Sequence, residues 1–173
     1  FDRRFEQGYR HVNDRFATRL RPMLKPDDII WVHDYHFLTM ASNLRVMEVT
    51  NPIAFFLHIP FPAPEILAAL PNAGSIVRAM LAYDLIGFQT KRDASNFRRF
   101  VREELGGVDL GNGRMEIAGH EVIARAYPIG IDAEAFSKFA MSPDARRNIS
   151  RLEKLLGGRQ QIIGVDRLDY TKG

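Results

Sequence analysis

Three short runs read as strands, Ile29 to Val32, Ile53 to Leu57 and "DLIGFQT" at 84–90, and they alternate with stretches of helical periodicity. No other feature constrains the fold of this chain as strongly. Apolar runs of this length without polar alternation fit strands buried on both faces, and such strands belong to parallel sheets joined by helical crossovers. The chain is therefore expected to adopt an α/β fold, Rossmann-like, with a mainly parallel sheet. Apolar runs also stop abruptly on chemically able groups. "WVHDYHFL" ends on His33, Asp34, Tyr35 and His36, "FFLHIPFP" on His58, and "IIGVDRLDYTKG" on Asp166, Arg167 and Lys172. Open α/β sheets bind ligands in a crevice at the carboxyl ends of their strands, so these groups are expected to mark one binding edge.

The remaining elements follow from periodicity and punctuation. Phe5, Tyr9, Val12, Phe16 and Leu20 recur at helical spacing and predict a helix over 3–22 with these residues inward. Helical text covers 39–48, 64–70 and 74–83, and Thr90 with Asp93 starts a helix running to Leu105. "RMEIA" and "EVIARA" around Gly119 give a hairpin signal, and "YPIGID" reads as a short strand and turn. Ser142-Pro143 opens a last helix, with Ala145, Ile149, Leu152 and Leu156 inward and Gly157 as its stop. Gln161 to Val165 reads as one more strand.

At 173 residues, 46% hydrophobic, the chain can bury a core of one domain's size. It carries no initiating Met and breaks off at Lys172-Gly173, which reads as an excerpt of a longer protein. No apolar run reaches the length of a membrane span, and no secretory leader is visible. The absence of cysteine excludes disulfides and thiolate metal sites and fits a cytoplasmic protein. A net charge of +3 is spread over scattered arginines interleaved with Asp and Glu. The densest cluster, Arg98, Arg99 and Arg102, lies around a helix with Phe97, Phe100 and Val101 inward, and reads as a solvated face rather than a nucleic-acid contact.

The strand-end motifs admit more than one chemistry. His33, Asp34 and His36 are competent metal ligands, but on an extended strand His33 and His36 point to opposite faces and no third cluster accompanies them. They can also simply satisfy loop backbone. "HIPFPAP" has prolines at 60, 62 and 64, which makes a stiff extended loop: either a pocket wall or a connector in which Pro64 or its neighbour opens the next helix. Arg167 and Lys172 suit a clamp on a phosphate or diphosphate, with salt bridges to Asp166 and Asp169 as the alternative. Neither a P-loop nor a Gly-x-Gly-x-x-Gly turn is present.

In these residues the chain resembles the trehalose-6-phosphate synthase family, retaining glycosyltransferases of the two-domain GT-B architecture (glycosyltransferase family 20). The resemblance runs through "DDIIWVHDYHFL", "FFLHIPFPAPEILAALP", "YDLIGFQT", "YPIGID" and "VDRLDYTKG", in order and at the family's spacing. It implies that residues 1–157 belong to the N-terminal, acceptor-side domain and 158–173 to the linker and the first strand of the nucleotide-sugar domain. It implies transfer of glucose from UDP-glucose to glucose 6-phosphate with retention, giving α,α-trehalose 6-phosphate and UDP. By motif position Asp34 would contact the glucose 6-phosphate acceptor, His58 would line the donor-sugar pocket, and Arg167 and Lys172 would hold the diphosphate of UDP-glucose. Nothing is carried onto the variable-looking 107–121 region.

Other elements of the family's site have no counterpart in these residues, so the chain by itself is expected to be inactive. Arg167 and Lys172 can supply the positive charge that other transferases take from a divalent ion, so no metal or other cofactor is expected. With no evident carboxylate nucleophile, retention points to a front-face mechanism rather than double displacement. A relative using another acceptor, such as glycerol 3-phosphate, stays open. So does a catalytically silent sugar-phosphate-binding homologue, although that class would be expected to lose Arg or Lys from "RLDYTKG". Partners are expected to be these small molecules and no nucleic acid or membrane, with a homo-oligomer open.

Overall fold

The computed structural model of the chain describes residues 3–166, which divide by their contacts into two units at Ile129/Gly130. The first unit is an α/β assembly. Helix α1 (Arg3–Leu20) runs into a single 3-10 turn, then strand β1 (Ile30–His33), helix α2 (Met40–Val46) and strand β2 (Ile53–Leu57). Helices α3 (Pro64–Leu67) and α4 (Ala73–Met80), strand β3 (Leu85–Phe88) and helix α5 (Lys91–Leu105) follow. Strands β4 (Val108–Gly111), β5 (Arg114–Ile117) and β6 (His120–Ala126) complete it. The strands form one sheet in the order β1-β2-β3-β6-β5-β4. β1, β2, β3 and β6 are parallel, and β6-β5-β4 is an antiparallel meander, so the sheet is mostly parallel with an antiparallel flap.

The register puts all four parallel carboxyl ends on one edge. His33 lies opposite Phe56, Phe56 opposite Gly87, and Gly87 opposite Arg125. Alternation then sends Ile30, Val32, Phe55, Leu57, Ile86, Phe88 and Ala124 to one face, where they are buried with Leu44, Val77, Met80, Phe97, Phe100 and Val101 of the helices. The opposite face behaves differently. Trp31 and His33 are exposed, Ala54, Phe56, Leu85 and Ile123 are half-buried, and Arg125 is exposed. β1 therefore alternates instead of being buried on both sides, because within the described residues the helices cover one face of the sheet.

Local chemistry sets the helix ends. Thr90 Oγ1 accepts the Asp93 N–H and hydrogen-bonds the Asp93 carboxylate, closing the start of α5. Gly106, at φ 74°, ends it in the left-handed conformation that residues with a Cβ resist. At the amino ends of β2 and β3 Asp84 accepts the Ile53 N–H at 2.6 Å and pairs with Arg45, which also donates to the carbonyls of Val49 and Asn51.

Two expectations need correction here. α1 does not bury Phe5, Val12 and Phe16, which are exposed; it buries Asn13 and Ala17 and half-buries Tyr9 and Leu20. "YPIGID" forms no strand: Tyr127 donates its N–H to the Phe88 carbonyl and the chain leaves the sheet there.

The second unit contains α6 (Ala133–Ala140) and α7 (Pro143–Leu156). α6 is capped by Asp132 and α7 by Ser142, and Gly157 stops α7 at φ 56°. The face expected to turn inward is open among the described residues, with Ile149 and Leu152 about half exposed. Gln161 to Val165 is not a strand either. A strand exists through pairing, and among the described residues this run has no ladder partner.

Candidate functional site

Asp34 directly follows the carboxyl end of β1. Its backbone sits at φ 67° and ψ 169°, a region that side-chain-bearing residues rarely occupy. Two hydrogen bonds hold it there. Its N–H donates to the Phe56 carbonyl at 2.8 Å, continuing the β1–β2 ladder, and its carboxylate accepts the Tyr35 N–H at 2.9 Å. The chain then folds into a 3-10 turn over Tyr35–Phe37.

That turn is tied from behind by α1 and by the residue preceding β3's loop. The Tyr9 hydroxyl donates to the Tyr35 carbonyl at 2.7 Å and accepts the Leu38 N–H at 2.8 Å. Asn13, fully buried, donates to the His36 carbonyl at 2.9 Å, and Tyr83 donates its hydroxyl to the Phe37 carbonyl. Burial pushes the phenols of Tyr9 and Tyr83 above the ordinary tyrosine range, so both stay protonated as donors at neutral pH.

His58 sits one residue past β2, beside this turn. Its Nε2 lies 3.0 Å from Nδ1 of His33, and the two rings stack with centroids 5.3 Å apart. Trp31 lies against His33 at 4.5 Å and Phe56 against His58 at 4.8 Å, so the pair is flanked by aromatic rings. On β3 Gly87 keeps the neighbouring space clear: a Cβ there would come within 2.7 Å of Phe56 and 3.3 Å of Tyr127. The proline-rich loop then leaves His58 and is pinned by Phe61, buried in edge-on contact with Phe88 and Phe97, while Asn96 donates to its carbonyl at 3.1 Å. Pro64 opens α3. The loop, anchored at one aromatic residue and ending on a helix, is a connector from β2 to α3.

The profile of glycosyltransferase family 20 matches residues 1–173. The chain belongs to glycosyltransferase family 20. A relative, the trehalose-6-phosphate synthase of Sinorhizobium fredii (strain NBRC 101917 / NGR234), is 43% identical over 100% of this chain and 37% of its own length. The crystal structure of an α,α-trehalose-phosphate synthase (UDP-forming) from Burkholderia vietnamiensis superposes with a TM-score of 0.88 at 43% identity, covering 99% of this chain and 37% of that one. A synthase of the same kind from Burkholderia xenovorans, in complex with glucose-6-phosphate, gives 0.87 at 39% identity over 99% and 38%. This chain thus spans a little over a third of the length of the family 20 relatives it matches.

Of the four residues singled out for family 20 chemistry, Asp34 and His58 come from adjacent parallel strands and share one sheet edge. Arg167 and Lys172 lie outside the described residues; Asp166 is the last one described. His33 and His36 do not act together. His33 faces His58, whereas the His36 ring stacks on Tyr35 at 4.1 Å. Among the described residues no group of three or more His, Asp or Glu side chains is placed to hold a metal ion. A cavity of about 580 Å³ lined by Lys91, Arg98, Asn112 and Arg125 lies away from Asp34 and His58, and both its arginines donate to carbonyls, of Ala124 and Asn112. The sequence reading named His33 but gave it no partner. The missing signal was strand register, which sets His33 opposite Phe56, two residues before His58, and is not written in either motif alone.

Proposed function

We propose that the protein containing this chain transfers glucose from UDP-glucose to glucose 6-phosphate, with retention at the anomeric carbon, giving α,α-trehalose 6-phosphate and UDP. The observation carrying this reading is the arrival of Asp34 and His58 at one edge of the sheet, inside a family 20 chain whose relatives are named as trehalose-6-phosphate synthases. Atom balance supports the donor. A UDP-forming enzyme that makes trehalose phosphate from glucose 6-phosphate must take its second glucose from a UDP-linked one, and the Burkholderia synthases carry those names.

In this mechanism Asp34 accepts hydrogen bonds from acceptor hydroxyls and fixes their approach, and His58 lines the donor-sugar pocket. Arg167 and Lys172 hold the diphosphate and neutralise the charge that develops as the C1–O bond to the β-phosphate breaks. The acceptor's anomeric hydroxyl bonds to C1 on the same face, and its proton passes to the departing phosphate oxygen. No metal takes part. We read the whole protein as cytoplasmic and of two-domain GT-B architecture, with 158–173 leading into the nucleotide-sugar domain; no helix among the described residues is long and apolar enough to cross a membrane.

The test is a titration of the full-length protein with glucose 6-phosphate and with glycerol 3-phosphate, scoring UDP release from UDP-glucose. Turnover saturating with glucose 6-phosphate is expected. Release that responds only to glycerol 3-phosphate would replace the acceptor, and no release with either would leave a sugar-phosphate-binding protein.

A further inference from the structure

We infer that His33 is a positioning residue, whose Nδ1 holds the His58 imidazole, fixes the orientation in which His58 meets the donor sugar and couples the tautomer of His58 to its own. This rests on the reading of His58 as part of the donor pocket. The geometry comes first. The two nitrogens are 3.0 Å apart, and His33 is itself held by the β1–β2 register and by the Trp31 ring on its other side. Asp34, next in the chain, spends Oδ1 on the Tyr35 N–H, and His36 turns away onto Tyr35.

A hydrogen bond between two imidazoles needs one N–H and one lone pair, so the two protonation patterns are correlated. If His33 donates from Nδ1, His58 must leave Nε2 bare and carry its own proton on Nδ1. If His58 donates from Nε2, its Nδ1 is a bare acceptor. In both cases Nε2 of His58 is occupied by His33, and Nδ1 is the atom left to meet a sugar hydroxyl. Removing the His33 nitrogen frees the ring to rotate about its two-fold χ2 preference and to exchange tautomers, which blurs that contact.

The experiment uses the full-length protein with three substitutions. His33→Phe keeps a ring between Trp31 and His58 but removes Nδ1. His33→Asn returns an amide near the position of Nδ1, and His58→Ala removes the positioned group. KM for UDP-glucose, KM for the acceptor and kcat are measured for each, together with side-chain 15N shifts of His58. His33→Phe is expected to raise the donor KM about tenfold, the worth of one net hydrogen bond, with the acceptor KM nearly unchanged. It should also shift the His58 Nε2 resonance, which loses its hydrogen-bond partner, and His33→Asn should recover most of the donor KM. If His58→Ala damages donor binding while His33→Phe leaves both the donor KM and the His58 shifts as they were, the positioning role falls and the donor-pocket reading stands. If His33→Phe keeps the wild-type donor KM while His33→Asn loses it, ring packing rather than Nδ1 is responsible and the inference is wrong. If His58→Ala leaves the donor KM unchanged, the donor-pocket reading fails, and the positioning role fails with it.

Discussion

At Asp34 the backbone occupies a conformation that only glycine adopts freely, at a cost of about 1–3 kcal/mol. The strain persists because the Phe56 carbonyl and the Tyr35 N–H fix both sides of the peptide. A residue held against its preference at a strand end is placed for its side chain, since glycine would serve the backbone better. This can be measured by comparing two variants that both lose the carboxylate. Asp34→Gly should be more stable than Asp34→Ala by about 1 kcal/mol in denaturant unfolding, because only glycine is at ease at positive φ. Both should lose acceptor turnover. Equal stabilities would mean the strain is absent. The place of Asp34 at a strand end was legible in "HDYH", because an aspartate ending an apolar run is conspicuous. Its strain was not, since that depends on a carbonyl supplied by another strand, and the same holds for the pairing of His33 with His58.

Elements whose ends are set by local chemistry were the most legible. β2 (Ile53–Leu57), α5 from Thr90 to Leu105 and α7 between Ser142 and Gly157 fall where their caps and apolar runs place them. Faces were less so. The stripe expected on α1 was Phe5, Tyr9, Val12, Phe16 and Leu20, yet of these only Tyr9 and Leu20 turn inward, and Tyr9 is joined by the polar Asn13, because the 35–38 turn offers unpaired backbone groups that those two side chains satisfy. Helical periodicity weighs apolar residues and cannot see a distant turn's carbonyls. α1 is thereby the support of the Asp34 turn. Tyr9→Phe deletes one donor and one acceptor there and should cost about 1–2 kcal/mol. It should also raise the acceptor KM severalfold with a smaller effect on the donor KM. An acceptor KM unchanged in Tyr9→Phe would show that the turn keeps its shape without α1.

For the molecule as a whole, the parallel half of the sheet supplies an edge and two side chains, whereas neutralising a departing diphosphate requires positive charge. That charge comes from cations of the chain or from a bound ion. The net charge is +3, and the motif "RLDYTKG" places Arg167 and Lys172 five residues apart after an apolar run. A planar guanidinium and a point-charge ammonium together can hold two phosphates without a carboxylate-bound ion between them. The two sources of charge predict opposite responses in the full-length protein. If the side chains supply it, UDP release should survive exhaustive chelation, and Arg167→Ala or Lys172→Ala should each lower kcat by roughly 10²-fold, as loss of one preorganised transition-state donor does. Activity abolished by the chelator and restored by magnesium, or near-normal kcat in both variants, would place the charge on an ion instead and remove Arg167 and Lys172 from the mechanism.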